Sequence, residues 1–234
     1  MNDPKYLAEL INSNNIEDIV NFMKDNDIIL NRAPYCNKWK KDMKWSKKEM
    51  LSDKFLWRCS TCGESKSIRH ASFFSQFDIQ FVKILKIILY WSLQMCQNEI
   101  SKLVGVSLVT INRLFQRLRL LCIRDLDKEN LSLGGNGEVV ESTNPTTKVN
   151  TNGIESIWCC GKSLFKKRRG VNRCYLQTYL DEYCWRHNKN LDRIGALGAV
   201  LKIIVHLNKS FNEIDFLTET LKSVNMEELK DDLE

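Results

Sequence analysis

The chain has 234 residues, 43% hydrophobic and 27% charged, with 35 Lys and Arg against 29 Asp and Glu, a formal charge of +6. That is enough apolar material for one large core or two small ones, and no apolar run reaches the roughly 20 residues needed to span a bilayer, so a folded, soluble chain without a membrane segment is expected. The start, MNDPKYLAELINSNNIEDIV, has acidic residues and no basic flank leading into an apolar core, which argues against secretion; the nine cysteines are then free thiols or metal ligands, not disulfides.

In chain order, residues 1–30 read as short helices. Tyr6, Leu7, Leu10 and Ile11 lie at helical spacing, Ile16, Ile19, Val20 and Met23 repeat it, and Asn15 is placed to cap the second helix. Residues 31–76 change character. Lys38, Lys40, Lys41, Lys44, Lys47 and Lys48 crowd around Trp39 and Trp45, and FLWRCSTCGESKSIR reads as two short strands around a cysteine turn. Residues 77–127 are helical, and 128–153 form a polar linker broken by Gly134, Gly135, Gly137 and Pro145. Helices return over 154–210, in the segments Ile154–Lys167, Asn172–Asn188 and Ile194–Leu207. Within the middle one, Tyr175 to His187 is expected to bury Leu176, Tyr179, Leu180 and Tyr183, whose spacing forms an apolar stripe on one face. The tail, 211–234, holds eight acids against Lys222 and Lys230, a balance of −6, so residues 1–210 carry +12. A body that basic suits a polyanionic partner, nucleic acid before membrane.

Three places can carry chemistry. Cys59 and Cys62 form a C-x-x-C turn, half of a zinc ribbon; the other half upstream reads C-N-K-W, so Cys36 is a third candidate ligand and Trp39 stands where a fourth belongs. Two readings stay open: a structural zinc held by Cys36, Cys59 and Cys62 with His70 or water, or a metal-free ribbon held by packing of Trp39, Trp45 and Trp57. The second place is EISKLVGVSLVTINRLFQRLRLL, Glu99 to Leu121. A short helix ends at Val104, Gly105 turns, Ser107 caps the next helix, and Ile111, Leu114, Phe115 and Leu118 face inward. This is a helix-turn-helix pattern. Its second helix turns Leu108, Thr110, Asn112, Arg113, Gln116 and Arg117 outward; of these Thr110, Asn112, Arg113, Gln116 and Arg117 are the expected DNA-contacting residues. The third place is Glu141 and Glu155, on either side of the linker, with no neighbouring Asp or His to complete a two-metal site. Cys159 and Cys160 read as core positions.

Taken together, several stretches resemble the Merlin-type DDE transposases and their bacterial insertion-sequence relatives, the ISXO-type transposase domain. CNKWKKDM, DKFLWRCSTC, SIRHASFF, the helix ending ILYWSL, LVGVSLVTINRLFQRLR, GGNGEVVES, NPTTKVNTNGIESIW and YLQTYLDEYCWRHN are similar to that family's motifs in its order, over most of residues 30–190. The resemblance implies a ribonuclease-H-like catalytic sheet with two Asp and one Glu. Here Glu141-Ser142 runs almost directly into Asn144-Pro145, so the sheet and both Asp are missing and Glu155 alone stands at a catalytic position, as a vestige.

The expected fold is therefore mainly α, with a small zinc-ribbon-like β unit, a helix-turn-helix and a C-terminal helical segment. The expected function is DNA binding by a catalytically inactive, transposase-derived protein, with no catalytic magnesium and oligomerisation open. The alternatives are a helical protein-interaction module and a fragment active only with another subunit. The basic cluster KKRRG, Lys166 to Gly170, favours a nuclear or otherwise intracellular location.

Overall fold

A computed structural model describes residues 4–126 and 175–209, together with 159, 161–163 and 166. Glu141, Glu155, the linker around Val139–Ser142 and the acidic tail lie outside these residues. Helix α1 (Pro4–Asn12) buries Leu7 and Ile11, four residues apart, and leaves Tyr6 at the surface. Asn15 then caps α2 (Ile16–Asp25), its side-chain oxygen accepting the Glu17 N–H at 3.1 Å. Ile19, Val20, Phe22 and Met23 form the buried stripe of α2.

Five short strands follow, in two antiparallel sheets. β1 (Tyr35–Cys36) pairs with β2 (Lys41–Asp42), with Cys36 opposite Lys41. β3 (Lys44–Lys47), β4 (Phe55–Arg58) and β5 (Ser65–Ser67) form the second sheet in that order. Trp45 sits opposite Trp57, and the two rings meet edge to face at 4.9 Å between centroids; Trp45 also stacks on Phe55 at 5.3 Å. The Lys24 ammonium of α2 lies 4.4 Å over Trp45, which joins the sheet to the helix before it. Trp39, in the turn between β1 and β2, is 47% exposed and is not among the rings of this cluster.

After a 3₁₀ turn (Phe73–Gln76), α3 (Phe81–Ser92) is the central helix. It is apolar almost all round, with Phe81, Ile84, Leu85, Ile87, Ile88, Leu89 and Trp91 buried. That composition fits a helix enclosed by others; α1, α2, α4 (Gln97–Val104) and α7 (Gly195–Lys209) pack on it. Helix α5 (Leu108–Asp125) follows α4, and α6 (Leu176–Asn188) precedes α7. Helix α7 buries Ala196, Leu197, Val200, Leu201, Ile204 and Leu207. Asn208 fastens its end, donating to the Ile28 carbonyl at 2.7 Å and accepting the Phe73 N–H at 2.9 Å. No described helix is long and apolar enough to cross a membrane.

The described residues up to 121 and from 191 onward make one unit, and those from 122 to 190 another. In the second unit the expected stripe on α6 is displaced. Leu176 is exposed and Tyr179, Leu180 and Tyr183 are half-buried, whereas Asp181, Glu182, Trp185 and Arg186 are buried. The reason is polar: the Trp185 indole N–H donates to Asp125 at 2.8 Å, Lys189 pairs with the same carboxylate, and Arg186 pairs with Glu182 at 3.1 Å. Cys159, expected in a core, is exposed. The chain is thus mainly helical, with small antiparallel sheets and a cysteine cluster.

Candidate nucleic-acid interface and thiol cluster

The helix-turn-helix is built from the residues that encode it. Helix α4 stops because Gly105 takes a left-handed conformation, φ 64° and ψ 49°, with its N–H on the Ser101 carbonyl at 3.0 Å. Nothing lies within 4 Å of where a Cβ would stand, so backbone conformation alone asks for glycine there. The Ser101 hydroxyl donates to the Val106 carbonyl at 2.7 Å and closes the turn. Ser107 caps α5, accepting the Thr110 N–H at 3.3 Å. Ile100, Val104 and Val106 are buried together with Ile111, Leu114, Phe115 and Leu118 of α5, as the heptad-like spacing predicts.

Four of the five expected contact residues face outward. Asn112 and Arg113 are exposed, and Thr110 and Gln116 are half-buried. Arg117 is not available. It is 7% exposed, its guanidinium lies 5.1 Å over the Phe77 ring, and burial, with Arg113 close by, pulls its pKa down to about 10. The accessible stripe of α5 narrows along the helix, because Leu114, Phe115, Leu118 and Leu121 are buried and the flanking Arg117 and Arg119 are covered with them. A residue that periodicity alone passed over is Val109, 67% exposed, three and four positions before Asn112 and Arg113 and so on their face. Leu103 of α4, 63% exposed, and Leu108, the first residue of α5 and 41% exposed, are further large apolar side chains at the surface of this motif.

In the ribbon, the sulfurs of Cys36, Cys59 and Cys62 all lie within 4.8 Å of one another. Cys36 and Cys62 are 3.6 Å apart. Each half is a turn whose backbone points at a sulfur. The N–H groups of Cys62 and Thr61 hydrogen-bond Cys59 and bring its thiol down to about 7. At Cys36 the Trp39 N–H acts in the same downward sense, but burial and the Cys59 and Cys62 sulfurs outweigh it and push the thiol up to about 11. Two N–H-bonded turns presenting thiols to one point are suited to a soft divalent cation such as zinc. The three-thiol set read from the sequence is therefore brought together. His70 is exposed and does not belong to the cluster, so of the two candidates read for the fourth position, His70 or water, the histidine is not brought to the thiols. The metal-free alternative loses one of its props, since Trp39 is outside the aromatic cluster.

Residues 93–120, which are α4, the turn and most of α5 with a short lead-in, match the family model of bacterial regulatory proteins, crp family. No curated protein and no solved structure matches the chain. The expected resemblance to Merlin-type DDE transposases is overturned by this result: residues 93–120 match a regulator's family model, and no transposase family is found. The reading of Glu155 as a catalytic vestige, and of a ribonuclease-H-like sheet as lost, rested on that resemblance and falls with it. Of the basic cluster Lys166 to Gly170, only Lys166 is among the described residues.

Proposed function

We propose that this chain is a DNA-binding protein that lays the N-terminal half of α5 in the major groove of duplex DNA and has no catalytic step of its own. The observation that carries the reading is the exposed stripe Val109, Asn112 and Arg113, with half-buried Gln116 beside it, presented by a helix-turn-helix whose turn and cap are formed. Asn suits the adenine edge, Arg the guanine edge, and an apolar side chain the thymine methyl. The match of residues 93–120 to a family of regulatory proteins supports the same role. Exposed Lys38, Lys40, Lys41 and Lys44, on and beside the β1–β2 hairpin of the same unit, supply positive charge for phosphates.

The test is binding to duplex DNA by fluorescence anisotropy as salt is varied. Arg113→Ala should weaken binding and reduce the salt slope by about 0.9 if one phosphate contact is lost, or leave the slope and relax sequence preference if the contact is to a base. Arg117→Ala should act on stability before affinity. Equal loss of affinity from both, in folded variants, would contradict the assignment of the outward face.

The exposed Leu103, Leu108 and Val109 favour a second reading, in which this end of the helix-turn-helix docks on a protein. That reading gains if the purified chain ignores DNA at low salt.

A further inference from the structure

We infer that Glu64 is the fourth ligand of a Cys₃Glu zinc site completed with Cys36, Cys59 and Cys62. A tetrahedral zinc with Zn–S of about 2.3 Å and Zn–O of about 2.0 Å fixes the edges of its ligand tetrahedron at about 3.8 Å for S···S and about 3.5 Å for S···O. The Cys36–Cys62 separation is 3.6 Å, and the Cys36 sulfur lies 3.4 Å from Glu64 Oε2. Both are edge lengths of such a site; the Glu64 carboxylate is not within 4.8 Å of all three sulfurs, so its remaining edges close by rotation of its exposed side chain.

The turn itself sets the reach of Glu64. Its carbonyl accepts the Cys59 N–H at 2.8 Å and Gly63 donates to the Cys59 carbonyl at 3.0 Å, with Gly63 at φ 75°, so the Glu64 backbone is locked beside the second cysteine turn. Its carboxylate lies against Cys36, and an exposed glutamate has the side-chain freedom to close on an ion. The position that a fourth cysteine would occupy in the first turn holds Trp39, which has no metal donor. A carboxylate next to three thiolates makes the site anionic. Lys66 donates to the carbonyl of Tyr35, the residue before Cys36, at 3.0 Å, and exposed Lys38, Lys40 and Lys41 lie on the same β1–β2 hairpin as Cys36. This inference is independent of whether the chain binds DNA.

The experiment uses the full chain loaded with zinc, and in parallel with cobalt. The native protein should bind one zinc, with X-ray absorption showing three sulfur and one oxygen or nitrogen neighbour. Glu64→Ala should weaken zinc by at least about tenfold against a chromophoric chelator, on the scale of losing a conserved site interaction, and should shift the visible bands of the cobalt form. Glu64→Cys should convert the shell to four sulfurs. Circular dichroism of the metal-loaded variants checks that they fold; the native absorption spectrum stands regardless of how they behave. A native chain that binds no zinc, a four-sulfur native shell, unchanged affinity and cobalt bands in folded Glu64→Ala, or a shell still at three sulfurs in Glu64→Cys would each overturn the inference.

Discussion

Asp53 and Arg69 form a buried ion pair that ties the ribbon to the first residue of the central helix. Arg69 Nε donates to Asp53 Oδ2 at 2.7 Å, while Asp53 Oδ1 accepts the Phe81 N–H at 3.1 Å, one of the unpaired donors at the start of α3. The Arg69 guanidinium lies 4.4 Å over the Phe81 ring and also donates to the Phe77 carbonyl. The two side chains thus satisfy three backbone and ring partners between them.

Because both groups are buried, removing one leaves the other's charge without a counterion. Asp53→Ala or Arg69→Ala should each lower stability by about 3–5 kcal/mol. The double replacement Asp53→Leu with Arg69→Met should cost less than the sum of the singles, since no lone charge remains. Urea denaturation at neutral pH measures all three; additive losses would mean that the pair does not act as a unit.

Gly105 is a conformational requirement and nothing more. Gly105→Ala meets no neighbouring atom, so its cost should be that of the left-handed backbone, about 1–2 kcal/mol. Denaturant unfolding reads the loss. A loss far above that range would point to a crowded turn, and no loss at all would mean that the backbone relaxes out of the left-handed region.

How much of this was legible in the sequence depended on whether the signal was local. Gly105, Ser107 and Asn15 act through hydrogen bonds within a few residues of themselves, and each sits where its sequence context placed it. The C-x-x-C turn and its upstream partner Cys36 were likewise readable, because Cys59 and Cys62 have the spacing of a metal-binding turn and Cys36 opens a similar turn upstream; the three sulfurs lie together. Arg117 was not. Its burial is decided by Phe77, forty residues earlier and carried on another element, so helical periodicity within α5 gives no warning. The same holds for α6, where Asp125, Lys189 and the Arg186–Glu182 pair set the buried face in place of the apolar stripe. Glu64 escaped notice because its partner Cys36 is 28 positions away.

Glu17 links α2 to the ribbon. The hydrogen bond from Lys47, at 2.7 Å, and then Lys54, at 3.4 Å, hold its carboxyl below the ordinary value of 4.5. A depressed folded-state pKa stabilises the fold above the unfolded value, and that contribution is lost as pH falls through the folded one. Glu17→Gln should therefore lower the urea midpoint slightly at neutral pH, and the difference from the native chain should shrink in acid and in high salt. A gap that widened below pH 4.5 would reverse the sign of the linkage.

A binding protein without a catalytic step should leave its DNA intact. With magnesium or manganese, the native chain and Glu155→Ala should show the same absence of nicking on duplexes that the protein binds. Cleavage by the native chain that Glu155→Ala lacks would assign a metal-dependent activity to that carboxylate and remove the non-enzymatic reading.

The central claim is that Val109, Asn112 and Arg113 at the start of α5 read base edges. Selection of duplexes from a random pool, with the native chain and with Asn112→Ala, tests it most directly. The native chain should enrich one short motif, and Asn112→Ala should relax a single adenine position within it, at a cost of about 1–3 kcal/mol for that base, while the rest of the motif is retained. A pool that the native chain leaves unenriched, or a motif unchanged by Asn112→Ala, would contradict the account.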